Sequence, residues 1–230
     1  MKTVIITGAT SGIGFEAALL FANNNYKVMG LGRNLDKGPS HPNIHLEQVD
    51  LLSKESINTF ITNFTTNHNE LSGIIHNAGI VIRKPFVDFT EEEILKEFQT
   101  HVFSTIQLNQ ALYPLLKDTK DASIVFVNST LATKPISNTS IYSAAKSAQA
   151  SLVKSLAIEW APIRVNGIHL GIIDTPIHNF NSKQKEDADQ LQTLKRVGTS
   201  SEAAKEIFHL FHSQWTTGAL NTFDGGISLN

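Results

Sequence analysis

A chain of 230 residues, 41% hydrophobic and 17% charged with no low-complexity block, has apolar surface enough for one α/β domain with a sizeable core and little room for two. A net charge of -2 argues against a dedicated nucleic-acid binder, which needs clustered Lys and Arg, and the absence of cysteine excludes disulfides, thiol catalysis and cysteine-based zinc sites. No apolar stretch approaches the ~20 residues that cross a bilayer, and the first apolar run is broken by glycine before it can act as a secretory peptide, so a cytoplasmic protein without membrane association is expected.

The first element is a Val- and Ile-rich strand over Thr3–Thr7, followed by Thr7-Gly-Ala-Thr-Ser-Gly-Ile-Gly14 and a helix over Ile13–Asn24 that Asn23-Asn-Asn25 closes. In this strand-to-helix context the three glycines do different things. Gly8 permits the tight turn, Gly12 lets the backbone approach a pyrophosphate, and Gly14 lets helix and strand pack closely. The helix N-terminus presents free N–H groups and a positive dipole end to phosphates. Turn chemistry alone is the other reading of the same glycines.

The spacing Gly-x-x-x-Gly-x-Gly departs from the common Gly-x-Gly-x-x-Gly fingerprint and resembles the short-chain dehydrogenase/reductase family. That resemblance implies a dinucleotide held by Gly8, Ser11, Gly12, Ile13 and Gly14. It also predicts marks further along. After the strand Lys27–Leu31, NAD-preferring members usually carry an acid that bonds the ribose 2′-hydroxyl; here Gly30-Leu-Gly-Arg-Asn34 has none. Arg33, with Asn34 beside it, suits a 2′-phosphate that a carboxylate would repel, so NADP(H) is favoured over NAD(H).

A third strand spans Ile44–Val49, and Asp50 and Leu51 beyond it resemble the family's adenine contact. A helix over Lys54–Asn67 leads to the strand Gly73–His76. There His76-Asn-Ala-Gly79 resembles the family's Asn-Asn-Ala-Gly with its first Asn replaced, leaving Asn77, Ala78 and Gly79 to line the cofactor. A long helix is expected over Glu91–Lys117, opened by a Thr90/Glu93 capping box. Aligning Ser104, Ala111 and Pro114 with the family pattern puts His101 where many relatives have an Asn that supports a water chain to the lysine. His101 can hold such a water or serve only to pack the helix.

Beyond the strand Ser123–Asn128 lies Ser129, with Thr130 as its near rival, and the next helix, Ile141–Trp160, opens with Tyr142-Ser-Ala-Ala-Lys146. Spacing of one turn puts the phenol and the ammonium on one helix face, where the cation is expected to lower the phenol pKa into a range useful for acid/base chemistry. A second Tyr-x-x-x-Lys, Tyr113 to Lys117, contains Pro114 and has no strand-end hydroxyl upstream, so it reads as helix-end packing and surface charge. His209 and His212 share a helix face without a third ligand, and no metal site is expected.

The strand Arg164–His169 runs into a segment resembling the family's Arg-Val-Asn…Pro-Gly, with Leu170 in place of Pro. Gly171, Ile173 and Thr175 follow as cofactor contacts, Thr175 toward the nicotinamide amide or a phosphate. The polar segment 176–196 reads as a substrate lid within the 1–230 domain. A helix over Ser201–His212 and a strand over Ala219–Phe223 close the chain, near Gly218 and Asp224-Gly-Gly226.

Seven strands alternating with helices predict a doubly wound, Rossmann-type α/β domain with a mainly parallel sheet. The implied function is hydride transfer between NADP(H) and a small carbonyl or alcohol substrate. Ser129 orients the substrate oxygen, Tyr142 moves the proton, and Lys146 tunes the tyrosine and bonds the nicotinamide ribose. Pairing into a homodimer or homotetramer through the two long helices is expected. A dinucleotide-binding regulatory protein on the same fold is the rival reading.

Overall fold

The computed structural model describes residues 1–178 and 180–229. The first half alternates β1 (Thr3–Thr7), α1 (Gly12–Asn23), β2 (Lys27–Gly32), β3 (Ile44–Gln48), α2 (Lys54–Asn67) and β4 (Gly73–His76). After β4 come α3 (Glu91–Phe98), a π-helical turn (Gln99–Phe103), α4 (Ser104–Leu116), β5 (Ser123–Ser129) and α5 (Ser140–Glu159). The chain then forms β6 (Arg164–Leu170), β7 (Ile173–Asp174), α6 (Ser182–Leu191), β8 (Gly198–Thr199), α7 (Ser200–His212) and β9 (Leu220–Phe223).

Seven strands form one parallel sheet in the order β3-β2-β1-β4-β5-β6-β9. Helices cover both faces, which is why β1, β4, β5 and β6 are buried along their whole length instead of alternating. Successive side chains still part to opposite faces. Val4 and Ile6 pack with Phe21 of α1 and Ile207 and Phe211 of α7, while Ile5 packs with Phe60 of α2, Leu108 and Leu112 of α4 and Val153 of α5. Strand order reverses between β1 and β4, and the crevice outside their carboxyl ends is where such sheets bind ligands.

Three features depart from the sequence expectation. The single helix expected over Glu91–Lys117 is interrupted by the π-helical turn around His101, whose side chain is fully buried. The polar stretch after Pro176 contains α6, which its apolar pattern could not announce because Ala188 is its only buried residue. Its signal was instead a capping box, Asn181 with Gln184. Finally, β7 and β8 pair in parallel as a separate two-residue ribbon, too short to leave a periodicity. The Thr90/Glu93 capping box is present at the start of α3.

Candidate active site

The glycine loop joins β1 to α1 with Gly8 at φ +68° and Gly12 at φ +54°, conformations that side-chain-bearing residues rarely adopt. A Cβ on Gly14 would collide with the Gly8 carbonyl oxygen and Asn77 Nδ2, so the helix starts hard against the turn. Asn77 explains how that turn is held: its Nδ2 donates to the carbonyl oxygens of Thr7 (3.0 Å) and Gly8 (3.3 Å). Thr7 Oγ1 in turn accepts from the backbone N–H groups of Asn77 and Ala78, both at 3.0 Å. Thr7 was not singled out from the sequence, although a hydroxyl at the last position of β1 was its available signal.

The first turn of α1 is left open for an anion. Ser11 is extended and its side chain makes no cap bond, whereas Ser53, Thr90, Asn181 and Thr199 each cap their helices through a side-chain oxygen. The first N–H groups of α1 are therefore without a side-chain acceptor, as a phosphate-binding end requires. Thr175, which packs beside Gly12, also has a buried hydroxyl with no partner. These features fit a dinucleotide.

A cavity of about 920 Å³ opens along the carboxyl ends of the strands and is lined by every cofactor residue expected from the sequence except Gly14, which lies beneath the turn. Arg33 is exposed on its wall just past β2, and Asp50 is fixed there by its Oδ1, which accepts from Leu52 N–H (3.0 Å). Gly171 sits where a Cβ would meet Asp224, so the β6 end and the closing turn are in contact.

Ser129, Tyr142 and Lys146 line the same cavity. Ser129 ends β5 and its Oγ accepts from Leu131 N–H (3.2 Å), and Tyr142, in the first turn of α5, lies close enough to the Ser129 side chain for that hydroxyl to favour the ionised phenol. The rival Thr130 instead donates to the Leu170 carbonyl (3.3 Å) and does not line the cavity. Lys146, one turn after Tyr142, donates through Nζ to the Val127 carbonyl (2.9 Å) and Gln149 Oε1 (3.0 Å). Asn128 Nδ2 holds the Lys146 carbonyl (3.0 Å), tying β5 to α5. The second Tyr-x-x-x-Lys lies elsewhere: Tyr113 packs its ring on Trp160 at 4.8 Å and Lys117 pairs loosely with Asp118.

Comparison with known proteins agrees with this fold. The short chain dehydrogenase family model matches residues 2–186. The chain belongs to the short-chain dehydrogenase/reductase family. It is 32% identical over 247 residues to a tropinone reductase homolog of Datura stramonium, covering 99% of this chain and 92% of that protein. It is 29% identical to the 3-oxoacyl-(acyl-carrier-protein) reductase of Chlamydia trachomatis serovar D, covering 99% and 97% of the two chains. A short chain dehydrogenase family protein of Francisella tularensis superposes with a TM-score of 0.91 at 27% identity, over all of both chains. Members of this family bind a nicotinamide dinucleotide and act on carbonyl or alcohol groups.

In this short-chain dehydrogenase/reductase the charge states of Tyr142 and Lys146 are set chiefly by burial. The Tyr142 phenol is pushed up to about 12, by desolvation first, with the Ser129 hydroxyl acting against it and Glu97 adding to it. Burial brings Lys146 down to about 7, with Glu97 alone opposing the fall. This differs from the expected lowering of the phenol by Lys146. The ammonium donates to Val127 and Gln149 and stands 5.8 Å from the tyrosine ring centroid, so Ser129 supplies the main opposing pull.

At the two positions where the resemblance expects Asn, the chain carries buried histidines. His76, against Phe126, bonds Asn109 Oδ1 through Nε2 (2.8 Å), and burial lowers its pKa to about 4. His101 bonds the Ile80 carbonyl through Nε2 (2.9 Å), meets Glu97 Oε2 at 3.2 Å, and packs edge-on to Tyr142 with ring centroids 5.4 Å apart. Glu97 and Gln149, both buried, were missed in the sequence. Glu97 stands four residues before His101, a spacing that places both on one helix face.

Among the described residues, no helix is long and apolar enough to cross a membrane.

Proposed function

We propose that this chain transfers a hydride between NADP(H) and the carbonyl or alcohol carbon of a small molecule, with Tyr142 as the general acid/base. The observation that carries the reading is the convergence of Ser129, Tyr142 and, one turn away, Lys146 on the cavity that the glycine loop borders. The loop, the uncapped end of α1, Asp50, Leu51, Asn77, Ala78, Gly79, Gly171, Ile173 and Thr175 would hold the cofactor, and the nicotinamide, when bound, supplies or takes the hydride.

In the reductive direction Ser129 orients the substrate oxygen and Tyr142 releases its proton to that oxygen as negative charge develops there. The resulting phenolate is favoured chiefly by the Ser129 hydroxyl, with Arg83 adding to it. In the oxidative direction the phenolate takes the proton back. A phenol held near 12 stays protonated across the neutral range, which suits proton donation and hence carbonyl reduction. Lys146 is also assigned to the nicotinamide ribose by family resemblance.

Arg33, exposed on the cavity wall with no carboxylate in the run Gly30–Asn34, favours the 2′-phosphate of NADP(H). Residues 176–196, of which position 179 lies outside the described residues, are assigned as the substrate lid: Ile177, His178 and Leu191 line the cavity, and Thr193 Oγ1 anchors the segment to the Gly226 carbonyl (2.9 Å). A cytoplasmic homodimer or homotetramer pairs through α3 to α4 and α5, where Leu95, Phe103 and Ile158 are exposed.

The decisive experiment titrates the purified protein with NADPH and NADH and then follows cofactor oxidation against a panel of ketones and aldehydes. Turnover that prefers NADPH is expected. Tight NADPH binding without turnover on any member would favour a regulatory dinucleotide-binding role instead.

A further inference from the structure

Glu97 and His101 meet at 3.2 Å with the side chains of both wholly removed from solvent. Burying a carboxylate costs several kcal/mol unless it is paired and hydrogen-bonded, and apolar residues of the same volume are often no less stable there. Of the carboxylate oxygens, Oε1 accepts from Ile82 N–H (2.6 Å), while Oε2 makes no hydrogen bond of good geometry and lies 3.2 Å from His101 Nε2. Nε2 also lies 2.9 Å from the Ile80 carbonyl and 3.5 Å from the Ile80 N–H; the two acceptors stand closer than the one donor and favour a proton on Nε2.

We propose that Glu97 and His101 form a positioning pair for the Tyr142–Lys146 site, clamping the Ile80–Ile82 loop over the cavity and placing one fixed negative charge behind the acid/base residues. The proposal rests on the assignment of Tyr142 as the acid/base. The clamp follows from the bonds: the two side chains grip the backbone of Ile80 and Ile82, and Ile80 lines the cavity. The π-helical turn delivers His101 to that loop and against Tyr142. Gly79 makes room for it, because a Cβ there would stand 3.0 Å from His101 Cε1.

The charge acts on two groups. Glu97 keeps the Lys146 ammonium protonated against desolvation and discourages ionisation of Tyr142. The other groups coupled to them are Arg83 from the loop after β4, which acts on Tyr142, and His76, His101 and His169, each held neutral near Lys146 by burial. Glu97 is therefore the only anion that either Tyr142 or Lys146 feels appreciably among the described residues.

Glu97→Gln keeps the shape and the acceptor for Ile82 while removing the charge. With lysine side chains isotopically labelled, an NMR pH titration should show one ammonium losing its proton near neutrality, absent in Lys146→Met. In Glu97→Gln that titration is expected about 1 pH unit lower, the scale of one nearby charge, whereas Glu92→Gln on the exposed face of α3 should leave it in place. A purely structural pair would alter thermal stability and leave the titration unmoved, and that result overturns the proposal.

A wild-type measurement covers the case in which the variant does not fold. Imidazole 15N shifts of His101 should report a proton on Nε2 and a bare Nδ1, and the opposite tautomer overturns the pair. Neither readout requires turnover, so a failure of the reductase reading and a failure of this inference are separately visible.

Discussion

The proposed mechanism concentrates the chemistry in the Tyr142 hydroxyl, so its removal should separate binding from turnover. Tyr142→Phe keeps the ring that packs on His101 and deletes the proton donor. Carbonyl reduction is expected to fall by about 10²- to 10⁴-fold with NADPH affinity nearly unchanged. Retained turnover in steady-state assays would place the acid elsewhere. Arg33 can be tested in the same spirit. Arg33→Met should weaken NADPH about 10- to 100-fold, the scale of a lost charge-assisted hydrogen bond, and leave NADH binding in place. Equal losses for both cofactors in fluorescence titrations would remove Arg33 from the 2′-phosphate. Ser129, Tyr142 and Lys146 could be read from the sequence because strand-end placement and one-turn spacing are local properties. Glu97 could not: it is one acid in a run beginning Glu91-Glu92-Glu93, and only the fold turns it inward while its neighbours face solvent.

At the scale of elements, the glycine loop and the strand ends were legible because each needs a particular backbone conformation or an unbroken apolar run. The π-helical turn at Gln99–Phe103 was not, since helical segments flank it on both sides and one extra residue per turn leaves no distinct periodicity. The ribbon of β7 and β8 is fixed by the tertiary path between β6 and α7, which leaves no periodic trace. The loop gives the sharpest element-level prediction. Gly14→Ala places a methyl group into the Gly8 carbonyl and Asn77 Nδ2, which are backbone and a side chain already bonded to it. Overpacking of this kind costs about 1–3 kcal/mol, or several degrees in a domain of this size. Thermal unfolding and NADPH titration should therefore report a lowered Tm and lost cofactor binding together. A variant that binds NADPH like the wild type would show that the close start of α1 is not needed for the cofactor.

At the scale of the whole molecule, the strand order follows from right-handed crossovers between consecutive βα units, which is why the sheet could be anticipated while the partners of its buried polar groups could not. Those partners make stability sensitive to acid. His76 titrates near 4 in the folded chain and near 6.5 when unfolded, because burial excludes its charged form. His101, His169 and His178 are shifted in the same direction, also chiefly by burial. Above about pH 6.5 these rings are neutral in both states and the stability is full. As pH falls from there toward 4, the unfolded chain takes up protons that the native chain refuses, so stability is lost; His76 alone contributes a loss of about 3 kcal/mol across that window. The Glu202 carboxyl, held down to about 2 chiefly by Arg196, loses its contribution as pH falls from about 4.5 toward 2, so the histidine window is the first encountered on acidification. Urea unfolding between about pH 7 and pH 4.5 should show a steep decline, made shallower in His76→Gln, which can still bond Asn109 but carries no titrating ring. A decline equally steep in that variant would mean that His76 does not refuse the proton, and that its bond to Asn109 accommodates the charged ring.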